Sequence, residues 1–202
     1  MKNVLSSSRK ILINLMLSAI FIGSIFIYNA CVAAPPDQTT GFLTSFGNGK
    51  IKVRLYADYF CGPCRALEPK IDLVIKRLVQ DNTITITFID APFHKYSSLY
   101  AKHFLFILKE KKDFHHALTV RALLFDMAKE NLAEAEKIEE YLKNKGVRIK
   151  PFDVKPIFSV FESYLRGDDI NSTPTCVIER NGKKEIFKGG DNILKSLENL
   201  KL

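Results

Sequence analysis

Apolar and polar positions alternate with a period of two along Ile51-Lys52-Val53-Arg54-Leu55-Tyr56 and again along Thr83-Ile84-Thr85-Ile86-Thr87-Phe88, which predicts two strands. Between them the period lengthens. Leu67, Ile71, Val74 and Leu78 recur at spacings of four, three and four, the signature of an amphipathic helix from Cys61 to about Gln80. Asp81-Asn82 ends that helix, so the whole stretch reads as one βαβ unit. From about 94 to 166 the pattern is helical, with apolar positions such as Phe104, Ile107, Leu108, Leu123, Leu124, Leu132, Ile138 and Leu142. Gly146 and Pro151 punctuate it, and three or four helices are expected, as an insertion rather than a separate domain. The chain closes with a hairpin, 175–179 and 185–188 around an Asn181-Gly182 turn, then a helix capped by Asp191 and ending near Leu200.

The first 34 residues differ from the rest. Lys2, Arg9 and Lys10 precede an apolar run over about 11–28, with no acidic residue before Asp37. This run exceeds a signal-peptide core of about 7–15 residues and falls short of a membrane helix of about 20, so residues 1–34 read as a cleaved signal peptide or a retained anchor. Cys31 reads as a small residue within that segment. Both topologies place the remainder outside the cytoplasm, in the periplasm or an equivalent oxidising space, either released or tethered to the inner membrane. Residues 35–49, rich in Pro, Thr, Gly and Ser, read as a tether to a domain spanning 50–202.

Composition fits one globular domain, 47% hydrophobic and 26% charged. The net charge of +8 falls to +5 without Lys2, Arg9 and Lys10, and the other lysines are scattered among Glu and Asp. No basic cluster with stacking aromatics is present, which argues against nucleic acid as a partner.

Cys61-Gly62-Pro63-Cys64 falls where the first strand gives way to the helix. A helix N-terminus stabilises a thiolate, the form that attacks disulfides, so Cys61 is the expected nucleophile. Cys64, one turn further in, is placed to resolve the mixed disulfide. Gly62 and Pro63 suit a first helical turn, where backbone N–H groups lack helical partners.

The segment Tyr59-Phe60-Cys61-Gly62-Pro63-Cys64-Arg65-Ala66-Leu67-Glu68-Pro69 resembles the thioredoxin active-site segment, including its helix proline. Ser172-Thr173-Pro174-Thr175 stands before the penultimate strand, where that superfamily carries a cis-proline facing the active site. With its export-type N-terminus and helical insertion, the chain resembles the DsbA-like branch of the superfamily over about 50–202, within the insertion by architecture only. The resemblance implies an α/β thioredoxin-like fold: a central mixed sheet built from βαβ and β-hairpin-α, with a helical insertion at about 94–166. It implies Cys61 and Cys64 as catalytic, Gly62 and Pro63 as the active-site motif, and Thr173 and Pro174 as substrate-binding. A cis Pro174 exposes the Thr173 backbone to an extended substrate segment. The partners so implied are unfolded or cysteine-containing exported proteins and a membrane redox partner that resets the dithiol, acting on a monomer without a cofactor. Two positions depart from the family pattern: Leu55 stands where a buried acidic residue is usual, and Phe60 where thioredoxin has Trp.

A Cys-x-x-Cys pair also serves zinc, but no second ligand pair is suitably spaced: Cys176 is alone, and adjacent His115-His116 cannot readily share one metal from a helix. Cys176, beside Val177 and Ile178, reads as core, and His94, His103, His115 and His116 as surface or helix-face residues. Three readings of the pair stay open: an oxidase or general disulfide exchanger, a dedicated reductant as in cytochrome c maturation, and a metal carrier. Gly62-Pro63 offers no imidazole to stabilise a Cys61 thiolate, which favours a more reducing couple than a basic dipeptide would give.

Overall fold

The computed structural model describes residues 42–200, so Cys31, the signal-or-anchor segment and residues 35–41 of the expected tether lie outside the described residues. β2 (Ile51–Ala57) and β3 (Ile84–Asp90) lie side by side in parallel, joined by α1 (Gly62–Gln80). Neither strand keeps the polar-out alternation of a half-exposed sheet, because both faces are covered. Val53, Leu55, Ile86 and Phe88 pack on Leu67, Ile71, Ile75 and Leu78 of α1. Tyr56 and Ile89 point the other way, toward Leu105, Phe106 and Phe161. On α1 the buried stripe runs through Ile75 rather than Val74, which is only partly covered.

Four helices lie between β3 and β4: α2 (Ser97–Glu110), α3 (Phe114–Lys129), α4 (Ala135–Asn144) and α5 (Lys155–Gly167). Among the described residues no helix is long and apolar enough to cross a membrane. The Asp113 side chain caps α3 by accepting from His116 N at 2.8 Å. β4 (Thr175–Arg180) pairs antiparallel with β2, and β5 (Lys183–Lys188) returns on it. Asn181 (φ 51°) and Gly182 (φ 73°) both take the left-handed conformation that a tight two-residue hairpin requires.

Two elements differ from expectation. Ser45–Phe46, at the end of the stretch read as a tether, form the short edge strand β1 against β3, with Phe46 buried; the sheet order is β1-β3-β2-β4-β5. The last helix, α6 (Gly190–Glu198), starts at Gly189 (φ 83°), so Asp191 sits within its first turn instead of capping it.

The basic positions of β2 also change meaning. Arg54 is buried, because α5 ends against that face. Its Nε donates to Asp168 Oδ2 at 2.6 Å, Nη2 to Asp168 Oδ1 at 3.1 Å and Nη1 to Glu179 at 3.0 Å. The Tyr56 hydroxyl and Lys184 Nζ also donate to Asp168, at 2.6 and 2.8 Å. Burial opposes the Asp168 charge, but these donors prevail and hold its carboxyl below the usual range.

Candidate active site

Cys61 is the N-cap of α1, in extended conformation, and its sulfur accepts from Cys64 N at 3.3 Å. Gly62 and Pro63 open the helix and are exposed; a Cβ on Gly62 would meet nothing within 4 Å, so approach to the cysteines from that side is open. Both thiols are free. Cys61 is 6% exposed and Cys64 2%, which makes Cys61 the more accessible of the two. The Cys61 thiol donates to the carbonyl of Thr173 at 3.3 Å, and the Thr173–Pro174 peptide is cis. The two halves of the site come from opposite ends of the chain and meet at that contact.

Asp58 holds the loop between β2 and Cys61. The sequence offered no role for it, yet it is 1% exposed and its carboxylate gathers five donors. Phe60 N and Ser97 Oγ reach Oδ1 at 2.8 and 2.7 Å. Phe93 N, His94 N and His94 Nδ1 reach Oδ2 at 2.8, 3.2 and 2.9 Å. The active-site loop is thereby tied to residues 93–97, where Phe93 is exposed and Phe60 stands edge-on to Tyr100. Asp58→Ala will strand these donors and lower stability by about 3 kcal/mol or more, read by denaturant unfolding; a loss under about 1 kcal/mol contradicts the role.

Leu55 is buried on the α1 side of the sheet, opposite Phe88. Two residues further along β3, on the same face, stands Asp90, which is 3% exposed. Beside it Arg121 of α3, fully buried, donates to Glu68 of α1 through Nε and Nη2 at 2.7 and 3.1 Å and lies 4.3 Å above the Phe88 ring. Arg121 Nη1 is 3.6 Å from Asp90 Oδ1, an ion pair too long for a hydrogen bond. Burial raises the Asp90 carboxyl to about 7, against the pull of Arg121. Burial likewise pushes the Cys64 thiol well above its ordinary value, with the Cys61 sulfur adding to it.

Cys176 is fully buried in β4 between Leu55 and Phe187, and burial pushes its thiol up to about 12, so it is a poor nucleophile. His94 borders the site through Asp58, whereas His103, buried in α2, bonds the Leu99 carbonyl. Among the described residues no three His, Cys, Asp or Glu side chains are grouped to hold a metal.

A dithiol at the mouth of a helix, facing a cis-proline loop across a mixed sheet, defines a thiol-disulfide oxidoreductase. The chain belongs to the thioredoxin family: the family model described as Thioredoxin matches residues 46–187. Its fold is similar to that of DsbA-like structures. A candidate protein-disulfide isomerase of Pseudomonas syringae superposes with a TM-score of 0.64 at 16% identity, covering 81% of this chain and 99% of the other. The thiol-disulfide exchange protein alpha-DsbA2 of Wolbachia pipientis gives 0.53 at 21% identity, covering 78% and 86%. The catalytic domain of Proteus mirabilis ScsC gives 0.56 at 18% identity, covering 76% and 87%. No curated relative matches the sequence.

Proposed function

We propose that the chain catalyses disulfide exchange in exported proteins outside the cytoplasm, through Cys61 as nucleophile and Cys64 as resolving thiol. The observation that carries this reading is the position of the Cys61 sulfur, at the head of α1 and 3.3 Å from the Thr173 carbonyl. The sulfur sits among the unpartnered backbone amides that open the helix, and the Thr173 backbone offers an edge for an extended substrate segment. The export-type N-terminus and periplasmic relatives of the same fold, such as the periplasmic thioredoxin-like protein of Salmonella enterica serovar Typhimurium, support the location. On this reading the protein acts as an oxidase or general exchanger and is reset by a membrane redox partner.

A second direction is favoured by Gly62-Pro63, which places no cation beside Cys61: a dedicated reductant. The equilibrium potential against glutathione, measured on the full-length chain carrying Cys31→Ser with Cys61→Ser as control, decides between them. A value near about −120 mV assigns an oxidase and one near about −270 mV a reductant, a gap of roughly 7 kcal/mol for two electrons. No exchange by the parent chain would falsify the enzymatic reading.

A further inference from the structure

A groove of about 360 Å³ runs between α1 and α3, on the side of α1 that faces away from the cis-proline. Contacts fix that side. Gly189 N donates to the Pro174 carbonyl at 3.1 Å, which joins the cis-proline loop to the start of α6. α6 in turn meets α1 at Leu67, 3.7 Å from where a Cβ on Gly190 would stand, and at Lys70, 4.0 Å from Asp191. Successive helix residues turn by about 100°, so Arg65, Pro69, Asp72 and Lys76, which line the groove, face the opposite way. Leu118 and Phe125 of α3 give the groove a buried apolar floor, and Pro69 and Ala122 an exposed apolar rim. Each helix lines it for about 16 Å, the length of about five residues of extended chain.

The charges along the groove are matched with one exception. Lys76 holds Asp72 and Lys129 holds Asp126, each at 2.6 Å, and Glu68 is taken by Arg121. The Arg65 guanidinium has no ion-pair or hydrogen-bond partner among the described residues. Its backbone N–H donates to the Cys61 carbonyl at 3.1 Å, so this unmatched cation stands one helical turn from the nucleophile, at the end of the groove nearest the cysteines. Gly62, Ala66 and Pro69 are exposed and follow one another along a single helix face, which leaves an open path from Cys61 into the groove.

We propose that this groove binds the substrate polypeptide beyond its reacting cysteine, selecting a segment with a carboxylate about two or three residues from that cysteine and apolar side chains after it. The proposal rests on the reading of Cys61 as the thiol that attacks exported proteins. The carboxylate meets Arg65, whose planar guanidinium suits it. Alternate side chains of an extended segment fall about 7 Å apart on one side, so roughly two or three of them enter the groove and cover Leu118 and Phe125. A backbone edge such as that of Thr173 accepts many sequences, whereas side-chain pockets discriminate among them. Held at Thr173 on one side of Cys61 and in the groove on the other, the substrate is fixed across the attacking sulfur, and its sequence preference comes from the groove.

The test uses the reduced full-length chain carrying Cys31→Ser and peptides whose single cysteine bears a 2-thiopyridyl disulfide. When the Cys61 sulfur bonds to the peptide sulfur, thiopyridone leaves with the electron pair of the broken bond and is read by its absorbance. Each rate is divided by that with 2,2′-dithiodipyridine, which is neutral and has no chain to place in the groove. Peptides with Asp two and three residues from the cysteine and Leu beyond, built on either flank, are compared with counterparts carrying Lys for Asp. On one flank the acidic peptide is expected to react about tenfold faster with the parent chain. Arg65→Glu reverses that preference, and Ala122→Trp, which fills the groove, cuts it to under about twofold. Thr119→Trp on the same wall decides should Ala122→Trp not fold. Equal rates in the parent chain, or a preference that survives the filled groove as bare surface attraction, overturn the proposal and leave the exchange reading intact. A parent chain that runs as a dimer, and as a monomer with Ala122→Trp, gives the groove to a second copy and overturns it too. No release from peptide or 2,2′-dithiodipyridine by the parent chain removes both readings.

Discussion

Cys64→Ser will turn a catalyst into a trap. Mixed with an unfolded protein that carries a disulfide, this variant is expected to accumulate a covalent adduct through Cys61, seen as an added mass that dithiothreitol removes. Cys61 keeps its place at the head of α1 and its Thr173 neighbour, so attack proceeds. Its partner in the closing step is gone, and the mixed disulfide waits for an external thiol. Cys61→Ser, by contrast, forms no adduct and loses exchange by on the order of a thousandfold, because the remaining thiol is buried and holds its proton. An adduct mapped to Cys176, or turnover that survives Cys61→Ser, refutes this division of labour.

The second large effect concerns stability. Arg121→Met keeps apolar bulk above Phe88 but leaves Glu68 and Asp90 as buried carboxyls without a cation. Breaking a buried ion pair from one side costs about 3–5 kcal/mol, which for a domain of this size lowers Tm by about 10 °C or more at pH 8. The sign with pH follows from Asp90, whose carboxyl is already raised to about 7 in the folded chain. Without Arg121 the Asp90 carboxyl rises further above its unfolded value. Stability is then retained at low pH, where Asp90 is protonated, and lost as pH climbs through its folded value. Thermal unfolding by circular dichroism at pH 5 and pH 8 checks this: the deficit shrinks at pH 5, and a Tm within about 2 °C of the parent at pH 8 contradicts it.

The thiol chemistry was legible because it is local. Strand, turn, Cys61, Cys64 and helix follow one another within a short window, and periodicity alone located the helix that carries them. The buried charges were not legible, because their partners lie far apart in sequence: Glu68 and Arg121 are 53 residues apart, Arg54 and Asp168 114. Period two marks Arg54 only as a polar position of a strand, and the arrival of α5 on that face is what buries it. A signal for Arg121 did exist in a charge set within Val120 and the Leu123-Leu124-Phe125 run, as it did for Asp90 at the end of an apolar strand. Neither signal specifies a partner. Strand β1 escaped because two residues define no period, and α6 began early because Gly189 takes a positive φ.

The Arg54–Asp168 anchor reaches further than its own hydrogen bonds. Arg54 lies seven residues before Cys61 on β2, and Asp168 five residues before Thr173 just past α5, so one buried pair fixes the chain leading into each half of the site. The four helices between β3 and β4 are thus stitched to the scaffold at several buried points, among them Ser97 on Asp58, Arg121 on Glu68 and Asp168 on Arg54. A graft of a different helical cassette onto this scaffold has to keep these stitches, delivering a carboxylate to Arg54 immediately upstream of Ser172-Thr173-Pro174.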